Sequence, residues 1–151
     1  MCEAGRAELA LTQSRYFPLA SKGDAGKTWQ IPLCARYEAG GKSRTSCTLL
    51  TEREGKLPLE GGACPAWVMP NADGAAYVRL GVAKDDLTKL VAALPKLTTR
   101  EKLAFANGVR ASYGRGTLSA EDTYGTQAAL AREAHPALVA EPIGMVASSR
   151  T

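Results

Sequence analysis

A chain of 151 residues with a net charge of +4 has the length for one or two small domains and for a core that needs no staples. Its hydrophobic fraction of 45% and charged fraction of 23% exclude the disordered and fibrous classes. The basic excess is spread among acidic residues, and the densest basic stretch, 100–115, holds no run of like charge, which argues against a nucleic-acid partner. No apolar run reaches the roughly 18 residues that span a bilayer, so no membrane partner is expected. The first residues lack the apolar core of a secretory signal, which points to a cytoplasmic chain.

Residues 1–7 read as a frayed start. Residues 8–16 then alternate, with Leu9, Leu11 and Gln13 on one side and Ala10, Thr12 and Ser14 on the other, the pattern of a half-buried strand. Residues 18–27 form a loop. Residues 27–38 give the strongest strand: Trp29, Ile31, Leu33, Ala35 and Tyr37 face one way and Pro32, Cys34 and Arg36 the other. Pro32 lacks an N–H, so it marks an edge or a bulge. Residues 44–51 return as a hairpin partner. Short strands follow at 55–59 and 66–69. A turn spans 71–74, and a last strand at 76–82 closes the β region.

The four cysteines, Cys2, Cys34, Cys47 and Cys64, contain no Cys-x-x-Cys pair. A two-residue hairpin turn at Gly40-Gly41 would set Cys34 opposite Cys47 and permit a disulfide, whereas a longer loop over 38–44 would shift the register. The expectation is reduced cysteines packed as small apolar side chains.

From Ala83 the period changes to that of a helix. Leu87, Leu90, Val91 and Leu94 make one stripe, Asp85 and Asp86 lie in the first turn, and Pro95 stops it. Thr98 and Glu101 form a capping box for a second helix running to about Tyr113, with Phe105 and Val109 on its apolar side. Ser119 and Asp122 resemble another box, opening a third helix to about Ala134 whose apolar face is alanine plus Tyr124 and Leu130. A fourth helix over 137–148 is interrupted by Pro142 and Gly144. The fold class is therefore β then α: a small antiparallel β-sandwich over 1–82, and a helical segment over 83–151 that reads as the start of an α-helical array.

Chemistry is sparse. The single histidine, His135, stands beside Pro136 at a helix end and reads as a C-terminal cap. The pairs Asp85/Asp86 and Glu121/Asp122 are neighbours in sequence at helix starts, so their side chains diverge and serve capping. The glycines at 40–41, 61–62 and 114/116 suit turns and match no phosphate loop. Trp29 and Trp67 are expected in the sandwich core. No catalytic, cofactor-binding or metal residue is assigned.

Read in order, Gln13-x-Arg15-Tyr16, Trp29-x-Ile31-Pro32-Leu33 and Asn71-x-x-Gly74-x-x-Tyr77-x-Arg79, followed by the helix start at Leu97 to Leu103, resemble the C-terminal half of the gluzincin aminopeptidases of the puromycin-sensitive, alanyl and endoplasmic-reticulum types. The resemblance covers roughly residues 8–140. It implies a β-sandwich followed by the opening of a large helical domain. It also implies a non-catalytic fragment that spaces and closes a catalytic domain removing N-terminal amino acids from peptides. The family's His-Glu-x-x-His and Gly-x-Met-Glu-Asn motifs are absent here, so zinc is expected only in the parent's catalytic domain. The implied partners are that domain, the remaining helices, or a second copy of this chain. The alternative is a free-standing β-sandwich adaptor that binds a peptide or protein along a sheet edge.

Overall fold

A computed structural model describes residues 2–3 and 6–148 of the chain. Among them six strands precede four helices, so the β-sandwich-then-helices order expected from the sequence is the one observed. The chain divides into two compact units, Met1–Tyr77 and Val78–Thr151.

The strands are β1 (Cys2–Glu3), β2 (Arg6–Thr12), β3 (Ile31–Ala39), β4 (Lys42–Leu50), β5 (Glu54–Leu59) and β6 (Trp67–Met69). They make two three-stranded antiparallel sheets, ordered β1-β2-β5 and β4-β3-β6. One core lies between the two sheets. Ala7 and Leu11 come from β2, Leu33, Ala35 and Tyr37 from β3, and Leu50, Leu57 and Leu59 from β4 and β5. The period-2 alternation of β2 and β3 read from the sequence matches this burial.

The two-residue turn sets the register. Gly40 and Gly41 have φ of 59° and 74°, the left-handed pair that a type I′ hairpin requires. Ala39 then faces Lys42, and the ladder runs back to Ile31 against Leu50 with Cys34 opposite Cys47. Pro32 sits where β3 is flanked by β4 alone, because β6 pairs only with Arg36 to Glu38. A residue without an N–H is tolerated beside such an open flank. Tyr37 is fully buried, yet its hydroxyl is satisfied: it shares a hydrogen bond with Ser46 Oγ at 2.9 Å and accepts the Glu60 N–H at 2.7 Å.

Several expectations are corrected. The cysteines are paired, not reduced: Cys34 bonds Cys47 and Cys2 bonds Cys64. The start of the chain is not frayed at Cys2–Glu3, which pairs with β2 and is tied down by Cys64 (Met1, Ala4 and Gly5 lie outside the described residues). Trp29 precedes β3 and is 45% exposed, because its strand begins only at Ile31. Trp67 is buried, but it opposes Glu38, on the face of its sheet turned away from Tyr37.

The expected strand at 76–82 is also absent. Leu80 and Val82 instead bury their side chains within the helical unit. Gly108, on the second helix, makes the close approach possible, since a Cβ there would lie 2.9 Å from Leu80 Cβ. The Val82 N–H donates to Ser112 Oγ at 3.2 Å, so this backbone finds its acceptor on a helix and not on a strand.

The helices are α1 (Lys84–Ala92), α2 (Thr99–Gly114), α3 (Ala120–Leu130) and α4 (Pro136–Ser148). The capping box of α2 is complete: Thr98 Oγ1 accepts the Glu101 N–H at 3.2 Å, and Glu101 Oε2 accepts the Thr98 N–H at 2.9 Å. Leu87, Leu90 and Leu94 are buried as the stripe predicts. α3 departs from its predicted alanine face. Its buried row is Thr123, Thr126, Gln127 and Leu130, and Gln127 Nε2 donates to the Ala106 carbonyl of α2 at 3.2 Å. Tyr124 instead packs edge-on against Tyr113 of α2, with ring centroids 6.1 Å apart. Pro142 lies inside α4 without ending it.

These placements separate two aromatic residues by cost. Tyr37→Ala should destabilise the β unit by about 3–5 kcal/mol and Tyr37→Phe by about 1–3 kcal/mol, since the latter strands the Glu60 N–H. Trp29→Ala should cost only about 1–2 kcal/mol for its half-exposed ring. Denaturant titration of the three variants gives the order, and equal costs for Trp29→Ala and Tyr37→Ala would contradict the placement of Trp29.

Candidate functional site

Two of the residues that carry the family resemblance, Gln13 and Asn71, are occupied in holding the main chain, whereas the Trp29 and Tyr77 side chains are exposed. Gln13 is 5% exposed. Its Nε2 donates to the carbonyls of Trp29 and Glu52, both at 2.9 Å, and its Oε1 accepts the Trp29 N–H at 2.8 Å. One side chain thereby closes the long connection between β2 and β3 and joins it to the β4–β5 turn. Arg53 adds to the closure by donating to the Ala25 carbonyl at 2.9 Å. Asn71, 2% exposed, does the same at its own turn. Its Nδ2 donates to the Ala76 carbonyl and its Oδ1 accepts the Ala76 N–H, both at 2.9 Å. Each amide satisfies a backbone donor and acceptor that the loop would otherwise leave unpaired.

The candidates for chemistry do not converge. His135 is not a C-terminal cap of α3. Its carbonyl accepts the N–H groups of Leu138 and Val139, which places it at the start of α4, and its Nδ1 is buried with no hydrogen-bond partner among the described residues. Asp85 and Asp86 are exposed in the first turn of α1. Ser119 caps α3, and Asp122 in its first turn does not complete a reciprocal box. Ser119 Oγ accepts the Asp122 N–H at 3.0 Å and donates to Asp122 Oδ2 at 2.8 Å, and Lys84 Nζ stands 3.3 Å from the same carboxylate. The Ser119 hydrogen bond holds the Asp122 carboxyl below its ordinary pKa, partial burial opposes this, and the Lys84 charge reinforces it.

The outer face of the β4-β3-β6 sheet gathers the most varied chemistry. The Cys34–Cys47 disulfide lies there, with Arg36 and Met69 one pair further along and Glu38 and Trp67 beyond them. The Arg36 guanidinium sits 5.0 Å from the centre of the Trp67 ring, a cation–π contact, and Arg36 Nη1 donates to Ser43 Oγ at 3.3 Å. Trp67 Nε1 is buried without a hydrogen-bond partner among the described residues.

Among the described residues no group of three or more His, Cys, Asp or Glu side chains is placed to hold a metal ion, and all four cysteine sulfurs are engaged in disulfides. The sequence matches no protein-family model and no curated protein.

Sequence reasoning missed the Gln13 bridge and the Cys2–Cys64 bond for one reason. The partners are 39 and 62 residues away, and no local pattern reports contacts of that span. The even cysteine count was the one available signal for the second disulfide, and the Gly40-Gly41 pair was the signal for the first.

The Asp122 arrangement has a pH consequence. A carboxyl whose folded pKa is depressed contributes stability that is complete above the unfolded value, ordinarily 3.8, and is lost as pH falls through the folded value. Ser119→Ala should move the Asp122 titration upward toward the ordinary value in a carboxyl-carbon NMR titration. The variant's acid-side loss of stability should then become shallower than the parent's. An unmoved titration would show that Ser119 is not the main cause.

Proposed function

We propose that this chain is a non-catalytic architectural module of a zinc aminopeptidase: the β-sandwich and first helices that space and close the catalytic domain of an enzyme trimming peptide N-termini. The observation that carries the reading is the use of Gln13 and Asn71. Two of the side chains through which the chain resembles the gluzincin aminopeptidases, Gln13 and Asn71, make five hydrogen bonds to main-chain atoms. Residues spent in this way set the geometry of loops, which is what a spacer requires. Zinc and the catalytic carboxylate belong, in this reading, to the rest of the parent. The two disulfides favour a parent that folds in an oxidising compartment over the cytoplasm expected from the N-terminal residues.

A second reading has its own support. β4 is the outermost strand of its sheet, and Leu49 on it is 55% exposed, so an extended peptide could add to that edge.

The test has two arms. Gln13→Ala should cost about 2–4 kcal/mol, the loss of three hydrogen bonds and the stranding of buried backbone groups, and should raise amide exchange across residues 14–30. A Gln13→Ala chain as stable as the parent would remove the architectural argument. In the second arm the purified chain, with bound metal assayed, is given amino-acid anilides alone and then with a gluzincin catalytic region lacking its own C-terminal half. The proposal expects no turnover alone and a stable complex with the catalytic region. Stoichiometric zinc with turnover in the chain alone would overturn it.

A further inference from the structure

We propose that the Cys34–Cys47 disulfide is a thiol-exchange site, opened by attack of a small thiol or dithiol on Cys47 Sγ from the open edge of β4 while the β3–β4 hairpin keeps its register.

The position follows from the ladder. The closing pair of a two-residue hairpin, here Ala39 and Lys42, is hydrogen-bonded, and the pairs alternate from there. Cys34 and Cys47 are the fifth pair beyond it, so they fall on a non-hydrogen-bonded position, where opposed side chains stand closest. The bond lies on the outer face of the sheet, opposite in sense to Leu33, Ala35 and Tyr37, and so outside the shared core. Cys47 is exposed and Cys34 half-buried.

Direction of attack follows from strand order. Displacement at a disulfide sulfur runs along the S–S axis, so the incoming thiolate reaches the attacked sulfur from the side away from its partner. From Cys34 through Cys47 that axis runs off β4, the outermost strand of its sheet. In the other sense it runs back across β3, where Cys34 is itself half-buried and the turn Ala72–Gly74 packs against the strand. Access therefore selects Cys47 Sγ as the electrophile and Cys34 as the leaving thiolate.

The step balances. The thiolate forms a mixed disulfide with Cys47, the Cys34–Cys47 bond breaks, and Cys34 departs with the electron pair and takes a proton from solvent. With a monothiol the adduct forms first, and a second equivalent then attacks the reagent's sulfur in it, releasing Cys47 and leaving the reagent as its symmetric disulfide. With a dithiol, the second thiolate attacks the reagent's own sulfur in the adduct and releases Cys47. The dithiol is then oxidised to a disulfide and the protein pair reduced by two electrons. Eight of the nine facing pairs of the hairpin involve neither cysteine, and the Gly40-Gly41 turn is untouched, so nothing that sets the register depends on the bond.

The experiment treats the folded, oxidised chain with a glutathione-type monothiol, quenches with acid at early times, alkylates free thiols and locates both labels by peptide mass spectrometry. The proposal expects the adduct on Cys47 in about tenfold excess over Cys34 and the alkyl group on Cys34, with the far-ultraviolet circular dichroism unchanged. An adduct mainly on Cys34 or shared evenly, or opening of the bond only at denaturant concentrations that unfold the chain, would overturn it.

Discussion

The positive φ of Gly40 and Gly41 is the constraint on which the β unit depends. Side chains along a strand alternate between faces, so a hairpin displaced by one residue would exchange every inward side chain for an outward one. With the turn two residues long, Leu33, Ala35, Tyr37 and Ala39 enter the core. The same register sends Cys34, Arg36 and Glu38 to the outer face, where they meet Cys47 on β4 and Met69 and Trp67 on β6. Any residue other than glycine at these two positions would face the steric cost of left-handed backbone, with asparagine and aspartate the least penalised. Nothing lies within 4 Å of a Cβ at either glycine, so the requirement there is conformational and not one of space.

A second level of organisation is built on that hairpin by amides. The connection from β2 to β3 is long and largely exposed, and a segment of that kind has no secondary structure to pair its backbone. Gln13 supplies the pairing from within, at the point where β2 ends, and ties the β3 side of the loop to the β4–β5 turn. Asn71 repeats the device after β6. In the helical unit the corresponding work is done by Thr98, Glu101 and Ser119 at helix starts and by Gln127 between α2 and α3. These polar side chains are directed at the chain's own backbone, and the architectural reading rests on that use of Gln13 and Asn71.

The parts legible in the sequence were those governed by short-range rules. Strand alternation in β2 and β3, the complete capping box at Thr98 and the leucine stripe of α1 all follow from spacing within a few residues. The misread parts share a dependence on distant partners. Leu80 and Val82 alternate like a strand, yet an extended segment burying two side chains against a helix has the same period. Trp29 continued the inward phase of β3, but a strand's phase carries no information about where its ladder begins. The buried threonines and glutamine of α3 gave no apolar signal, because small polar side chains with partners on the neighbouring helix fill the space instead. As for the candidate site, the sequence offered no acid, base and nucleophile that could be paired by spacing, and the disulfide face of β3 and β4 required the hairpin register before it could be seen.

The most direct test of the account is the native cysteine connectivity, read by digesting the unreduced chain and mass-sequencing the linked peptides. The register set by Gly40 and Gly41 predicts one peptide pair joining Cys34 to Cys47 and another joining Cys2 to Cys64. Cys34 linked to Cys2 or Cys64 would contradict that register and the placement of every β3 side chain derived from it.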